Sequence, residues 1–150
     1  MIQCQKGFSL IELIMICAII AVLSLIAVPS FLRYTANTNL KSAVREVASD
    51  ILNQKEKAIS ENRKQRILFD SNNELYTLQE NTSGTTYTTT ETKHLKPFGS
   101  NIDITDNYTI TFQTRGTATN GTIKLTNNRG STATITVNIT GRTYATFSMQ

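Results

Sequence analysis

The sequence is poor in the residues from which disulfide bonds are built. Two cysteines occur among the 150 residues: Cys4 lies near the N-terminus, and Cys17 lies inside a long apolar run. A bond between residues in such different surroundings is not expected. No cysteine follows Cys17, so the rest of the chain must be stabilised by its own packed core and by neighbouring molecules.

Residues suited to catalysis and metal binding are also scarce. His94 is the one histidine, and the sequence contains neither a Gly-rich phosphate-binding loop nor a paired-histidine metal motif. Asp103, Asp106 and Asn107 offer too few oxygen ligands for a calcium loop and are better explained by turn formation. We therefore expect His94 at the surface and a protein that is not an enzyme and uses no metal or cofactor.

Acidic residues are absent from the sequence after Asp106. Basic residues continue through the same part of the chain, at Arg115, Lys124, Arg129 and Arg142. The C-terminal third is therefore wholly cationic. Such a surface is compatible with a negatively charged partner, and equally with an ordinary solvated surface that carries scattered charges.

Charge is nearly absent from Phe8 to Val28, a run of 21 residues in which Glu12 is the single charged residue. As a helix, this run spans roughly 30 Å, the thickness of the hydrocarbon layer of a bilayer. A cleaved secretory signal is one alternative, but its apolar core is shorter and carries no acid. A plain membrane anchor is another, but it leaves Glu12 unexplained, since a carboxylate within a membrane helix costs about 2.5–3.5 kcal/mol.

The start of the apolar run carries a specific pattern, which consists of Gly7, Phe8, the three residues Ser9–Ile11, and Glu12. It resembles the class III signal of type IV pilins and of type II secretion pseudopilins. The resemblance implies cleavage after Gly7 by a prepilin peptidase, N-methylation of Phe8, and retention of the apolar helix for assembly. It also implies that Glu12 meets the new N-terminal amine of a neighbouring subunit, which would supply the missing counter-charge.

The orientation in the membrane follows from the short N-terminal flank of the run. Lys6 lies there, and basic residues favour the cytoplasmic side. We therefore expect a single-pass protein of the inner membrane with its C-terminal domain in the periplasm.

A second helical pattern follows Ser30, with apolar residues on one face and charged residues, Lys55 among them, on the others. The apolar positions are Leu40, Val44, Val47, Ile51, Ala58 and Ile59. We predict that this helix ends near Asn62 and packs one side against a small sheet. Pro29 either kinks the helix or marks the end of its membrane-spanning part.

From Arg66 onward the apolar period changes to two, and Thr, Ile, Val and Tyr dominate. The predicted strands are Arg66–Phe69, Leu75–Leu78, Thr85–Thr90, Ile102–Ile104, Tyr108–Gln113, Thr122–Thr126, Thr132–Asn138 and Arg142–Phe147. Asn120-Gly121 and Asn127–Gly130 have the composition of hairpin turns, and Thr140-Gly141 marks a further break. The stretch 81–92 is either a polar surface loop or a polar edge strand.

These patterns predict an α+β protein with a pilin-like fold, in which a long N-terminal helix packs on a C-terminal antiparallel β-sheet domain. The expected boundaries are a prepilin leader at 1–7, a transmembrane and assembly helix at 8–29, the amphipathic half of the helix at 30–62, and the β domain at 63–150.

The C-terminal motifs narrow the resemblance. Thr114–Ala118, Gly121–Thr126, Gly130–Val137 and Gly141-Arg142 are similar to the closing segments of the GspH/FimT family of minor pilins and pseudopilins. The resemblance implies a non-catalytic subunit of a type IV pilus or, alternatively, of a type II secretion pseudopilus. Its partners would be other pilin or pseudopilin subunits, the prepilin peptidase and the inner-membrane assembly platform.

DNA is a further partner that the resemblance implies, because some FimT-type pilins bind DNA during natural transformation through a Gly-Arg-x-Arg-like ending. Gly141 and Arg142 match that ending, but Tyr144 stands where the second basic residue would be. We expect DNA contact by Arg142 together with the other late cations, Arg115, Lys124 and Arg129, if they share a face.

Overall fold

The computed structural model describes residues 9–99 and 101–150. The residues of the expected cleavage and methylation site, Gly7 and Phe8, lie outside the described residues. The chain divides into two compact units between Thr35 and Ala36. The first unit contains the apolar part of the helix, and the second contains the amphipathic part of the helix and all the described strands.

One helix, α1, extends from Leu10 to Ser60. Pro29 lies within it, and the residues on both sides of Pro29 are helical, so the proline does not end the helix. The end comes slightly earlier than the predicted Asn62. Asn62 itself has a φ of 52°, a left-handed conformation that asparagine tolerates and that stops the helix from continuing.

In the second unit, α1 buries one face. The buried residues are Leu40, Ala43, Val44, Val47, Asp50, Ile51, Gln54 and Ala58. The predicted apolar face is thus confirmed, except at Ile59, whose side chain is 50% exposed. The prediction for Ile59 is wrong because that residue lies beside the buried face rather than on it, against the glycine turn at Gly116.

The strands of the second unit form two antiparallel four-stranded sheets. Their bounds are β1 Gln65–Asp70, β2 Leu75–Ser83, β3 Thr86–His94, β4 Ile102–Ile104, β5 Tyr108–Phe112, β6 Gly121–Asn127, β7 Thr132–Val137 and β8 Thr143–Ser148. Sheet A has the order β3-β2-β1-β5, and sheet B has the order β4-β6-β7-β8. Every predicted strand is present, and their division between two sheets is the feature that the sequence pattern did not reveal.

The predicted hairpin at Asn120-Gly121 is wrong. Gly121 is the first residue of β6 and pairs with Val137, while β5, which precedes it in sequence, belongs to the other sheet. Glycine is needed there for packing rather than for a turn, because a Cβ on Gly121 would lie 2.1 Å from the Tyr108 ring. The Tyr108 ring therefore occupies the space where a side chain would otherwise stand.

The stretch 81–92 is an ordered part of sheet A, which resolves the choice between loop and edge strand in favour of the strand. β2 continues to Ser83, a tight turn follows at Gly84, and β3 returns along the edge. The amide of Asn81 donates to the carbonyl oxygens of Gly84 and Thr86, at 2.9 and 3.1 Å. Gly84 has a φ of 56°, which suits glycine at the turn.

A single apolar core lies between α1 and the sheets of the second unit. Its fully buried members include Leu40 and Ile51 of the helix, Ile67 of sheet A, and Leu125 and Ile135 of sheet B. The strands of this core alternate buried residues with partly buried or exposed ones, as expected for sheets with one wet face.

A buried polar network also joins the helix to sheet A. The Tyr76 hydroxyl donates to Asp50 Oδ2 at 2.6 Å, and Lys93 Nζ lies 3.0 Å from both Asp50 Oδ1 and Glu46 Oε1. Burial and the hydrogen bond to Asp50 raise the pKa of Tyr76 above its usual range. Burial alone would lower the pKa of Lys93, but hydrogen bonds to Asp50 and Glu46 raise it. Both shifts favour the protonated form of the side chain, which is neutral for Tyr76 and charged for Lys93.

Candidate functional site: an apolar helix and two glycine turns

The N-terminus of α1 is capped by Ser9. Its Oγ accepts a hydrogen bond from the Glu12 N–H at 3.3 Å, and its carbonyl accepts one from the Leu13 N–H at 3.2 Å. Serine is favoured at this position because it satisfies a helix N–H that has no partner within the helix. Glu12 is exposed in the first turn, where a negative charge is favourable. The carboxylate therefore stands at a defined place at the start of the apolar helix.

The first unit exposes its apolar side chains on all sides of the helix. The large exposed residues of this unit are Leu10, Ile11, Leu13, Ile14, Met15, Ile16, Ile19, Ile20, Val22, Leu23, Leu25, Ile26, Val28, Phe31, Leu32 and Tyr34. Among the described residues, α1 is the one helix long and apolar enough to cross a membrane. A helix that is apolar all round is stable within lipid or inside a bundle of other helices.

Two glycine turns meet in the second unit. The first holds Arg115-Gly116 between β5 and β6, and the second holds Gly141-Arg142 between β7 and β8. Gly116 has a φ of 80° and Gly141 a φ of 69°, values that favour glycine. The turns are also in direct contact, since a Cβ on Gly141 would lie 2.5 Å from the Gly116 carbonyl oxygen. The Arg-Gly and Gly-Arg pairs of the sequence thus form one structural feature.

Lys55 of α1 anchors this pair of turns. Its Nζ donates to the carbonyl oxygens of Thr140 and Gly141, at 3.3 and 3.2 Å. Its side-chain carbons also pack against Gly116 and Gly141, at the places where the Cβ of any other residue would lie. Sequence reasoning placed Lys55 on a solvated face and missed this role, because helical periodicity carries no information on which turns reach the helix.

The four late cations are all exposed, but they do not gather at one place. Arg115 and Arg142 lie on the two touching turns. Lys124 lies mid-way along β6, opposite Thr134. Arg129 lies in the β6–β7 turn, at the other end of β6, and a seven-residue strand separates these ends by about 20 Å. The structure therefore brings together two of the four predicted residues.

The remaining polar candidates have structural roles. His94 is exposed at the end of β3. Asn107 Oδ1 accepts hydrogen bonds from the backbone and hydroxyl of Ser71, as turn residues do. The pKa of Glu74 is raised by hydrogen bonding to the Asp103 carboxyl and by burial. Within residues 9–99 and 101–150, no group of three His, Cys, Asp or Glu residues could hold a metal ion.

Comparisons with known proteins match both parts of the chain. The family described as "Type II transport protein GspH" matches residues 43–141. The chain belongs to the GspH family. A second family, the "Prokaryotic N-terminal methylation motif", matches residues 2–28. The resemblance inferred from Gly7, Phe8 and Glu12 and from the glycine motifs is thereby confirmed at the level of the family.

Curated relatives match a shorter stretch of this GspH-family protein. Two fimbrial proteins of Pseudomonas aeruginosa are each 49% identical to it over 47 residues, which is 31% of this chain. The match spans 30% of the length of each of these relatives.

Solved structures of the same fold come from both kinds of fibre. The type IV minor pilin FimU of Pseudomonas aeruginosa superposes with a TM-score of 0.59 at 16% identity, covering 78% of this chain and 92% of FimU. The minor pseudopilin EpsH of the Vibrio cholerae type 2 secretion system superposes with a TM-score of 0.62 at 12% identity, covering 72% and 96%. The expected pilin-like α+β fold is confirmed.

Family and fold together place the protein among the non-catalytic fibre subunits of the pilin and pseudopilin class. The methylation motif and the exposed apolar helix indicate anchoring in a membrane and incorporation into a pilus or pseudopilus.

Proposed function

We propose that this protein is a minor type IV pilin, stored in the inner membrane with its C-terminal unit in the periplasm. A prepilin peptidase cleaves after Gly7, Phe8 is N-methylated, and an inner-membrane assembly platform drives insertion into the fibre. A pseudopilin of a type II secretion system is the alternative, with the same chemistry in a shorter fibre. The observation that supports the proposal is an apolar helix, exposed all round, whose single acid stands at its capped N-terminus.

In this proposal Glu12 specifies docking. The first turn of α1 holds its carboxylate at the edge of the apolar segment, where burial of an unpaired charge is costly. The N-terminal amine of a neighbouring subunit offers the counter-charge. Pairing of these two groups favours insertion at one axial position, because a displaced helix would leave both charges unpaired in an apolar bundle.

Mass spectrometry of the mature protein tests the processing steps. We expect the chain to begin at Phe8 and to carry one added methyl group. A mature chain that retains Met1–Gly7 would contradict the proposal, since the N-terminal amine would then not form beside the apolar helix. Isolation from sheared surface pili supports the pilin, and isolation from envelope-bound fibres supports the pseudopilin.

Substitution of Glu12 tests its role in assembly. We expect Glu12→Ala and Glu12→Gln proteins to remain in the membrane but to be missing from fibres, because both lack the charge. Ser9→Ala is the control, since it removes the cap at a cost of about 1 kcal/mol of helix stability while leaving the carboxylate in place. Normal fibres containing Glu12→Ala, or equal loss with Ser9→Ala, would refute a docking role for the charge.

DNA contact is a second candidate function, favoured by the meeting of the Arg115 and Arg142 turns. Two exposed guanidinium groups on touching loops, in a stretch of sequence without acidic residues, suit the phosphate backbone. Lys124 and Arg129 are too distant to join the same contact and are proposed as secondary contacts along the fibre. So few contacts per subunit make binding weak and salt-sensitive, so uptake would depend on several copies.

A salt titration of the full chain in detergent with duplex DNA tests this function. We expect Arg115→Ala and Arg142→Ala each to reduce the slope of log affinity against log salt by about one, the value for one lost phosphate contact. Arg129→Ala, at the far end of β6, is the matched control and should change the slope less. Absence of binding at low salt, or an equal effect of Arg129→Ala, would exclude this contact.

A further inference from the structure

β8 is a sheet edge that lacks the usual protection against pairing. It is the outer strand of sheet B, it is six residues long, and it pairs with β7 in unbroken register. Its sequence, Thr143–Ser148, contains no charge and no proline. Exposed edges usually carry one of these features, or are short or bulged, because an unprotected edge accepts a further strand.

The other three edges of the two sheets are protected. β3 has register shifts against β2 and carries Glu91 and Lys93. β4 is only three residues long. The free side of β5 is covered by the chain that follows it: Thr119 exchanges hydrogen bonds with Thr111, and Gln113 N–H donates to Thr117. Among the described strands, β8 is therefore the one long edge that remains open.

The backbone groups that β8 presents to solvent follow from its register. The Asn138 N–H donates to the Arg142 carbonyl at 3.0 Å, which makes this pair a hydrogen-bonded pair of the ladder. Such pairs alternate along an antiparallel ladder. Tyr144 and Thr146 therefore bond to β7, whereas Thr143, Ala145 and Phe147 direct their N–H and C=O groups outward.

Both faces of β8 are open to side chains of an added strand. Ala145 and Phe147 lie opposite the buried Ile135 and Ala133 of β7, on the core-facing side of the sheet, yet both are exposed. Phe147 is 42% exposed, and Tyr144, on the other face, is 52% exposed. An added strand would thus find an aromatic side chain on each face.

The charges around β8 are basic. Asn37 and Lys55 of α1 donate hydrogen bonds to the carbonyl oxygens of Gln150 and Gly141, residues that lie beyond the two ends of β8. Lys41, which is exposed, follows Asn37 by four residues and so lies on the same flank of the helix.

The acids of this helix segment face away from β8. Glu46 and Asp50 bind Lys93 of sheet A, and Glu56 lines a cavity beside the same lysine. Asp103, the one acid in a strand of sheet B, is on β4 at the opposite edge.

We propose that β8 is a docking edge to which an extended, acidic segment of another protein adds as a fifth strand of sheet B. The open amides supply the backbone bonds, and the flanking cations select the charge of the partner. A second copy of this chain does not fit, because its own β8 brings the same cations and no acid. The inference holds for a pilus and for a pseudopilus, and it does not depend on either.

The test uses the full chain in detergent micelles and a ten-residue peptide that alternates valine or threonine with glutamate. We expect the peptide to bind and to slow hydrogen exchange at the amides of Thr143, Ala145 and Phe147, while Tyr144 and Thr146, already bonded to β7, change little. The same peptide with lysine in place of glutamate is the control and should bind more weakly by about tenfold or more, the effect of a single favourable charged contact.

Ala145→Pro isolates the edge, because it removes one outward N–H and leaves the bonds to β7 intact. We expect it to weaken binding of the acidic peptide by about tenfold, whereas Ala145→Val, which keeps the amide, should not. Thr143→Pro removes the neighbouring outward N–H and serves as a second variant if Ala145→Pro fails to fold. Ala145→Pro should not alter DNA binding by Arg115 and Arg142.

Four results with added ligand would overturn the proposal. They are no binding of the acidic peptide, equal binding of the basic peptide, binding that survives both proline variants, and protection of the same amides by duplex DNA in place of peptide. Protection that rises with protein concentration in the absence of peptide would instead indicate pairing between copies, and would also overturn it.

Discussion

At the scale of the residue, Gly141 carries the strictest requirement in the second unit. Its φ is positive, the Gly116 carbonyl lies against its Cα, and the Lys55 side chain covers it on another side. A side chain at this position is therefore opposed by backbone conformation and by packing together. The glycine before Arg142 is needed to close the two turns, whatever the arginine binds.

Substitution of this glycine gives a measurable prediction. We expect Gly141→Ala to lower the free energy of unfolding by about 2–4 kcal/mol, since it adds a clash with the Gly116 carbonyl to the cost of a left-handed alanine. Gly84→Ala is the matched control: its φ is also positive, but nothing lies within 4 Å of the added Cβ, so about 1 kcal/mol is expected.

Thermal and denaturant unfolding of the full chain in detergent measures both variants. Equal losses would mean that the contact between the turns contributes nothing beyond backbone strain. In that case the contact between the two turns would contribute no stability, and it would no longer support a joint DNA contact by Arg115 and Arg142.

At the scale of the element, the attachment of α1 to sheet A depends on the network of Glu46, Asp50, Tyr76 and Lys93. Asp50 is 5% exposed, and Tyr76 is 1% exposed. Removing one partner of a buried ion pair costs more free energy of unfolding than the intact pair contributes. The reason is that the remaining charge stays buried without a partner or solvent. The network therefore fixes which face of the helix packs on sheet A.

The network predicts a loss of stability at alkaline pH. An unfolded tyrosine loses its proton near pH 10, whereas Tyr76 keeps its proton in the folded state because its pKa is raised. The unfolded state then binds fewer protons, so the free energy of unfolding falls as the pH rises above about 10. The raised pKa of Lys93 acts in the same direction.

Denaturant unfolding between pH 7 and about 11 measures this slope. We expect Tyr76→Phe to be less stable at pH 7 by about 1–3 kcal/mol, because Asp50 loses a donor, and to show a shallower alkaline loss. An unchanged slope in Tyr76→Phe would mean that other groups cause the alkaline loss.

At the scale of the whole molecule, the sequence predicted the helix, every strand and the family, because periodicity and turn residues are local. It did not predict which elements meet. Asn120-Gly121 has the composition of a hairpin, yet Gly121 serves to admit the Tyr108 ring. Arg115 and Arg142 are distant in sequence and adjacent in the fold, while Lys124 and Arg129 are near in sequence and lie apart. Pairings of this kind depend on the packing of two sheets on one helix.

The separation of charge between the two sheets has a consequence for how the C-terminal unit approaches its surroundings. Sheet A and its turns carry the acids Asp70, Glu74, Glu80 and Glu91 against the cations Arg66 and Lys93, whereas sheet B and its turns carry Lys124, Arg129 and Arg142 against Asp103. The C-terminal unit thus has an electric dipole moment, with its positive end toward sheet B. A polyanionic surface exerts a torque on such a body before any atoms touch and turns the sheet B side toward itself.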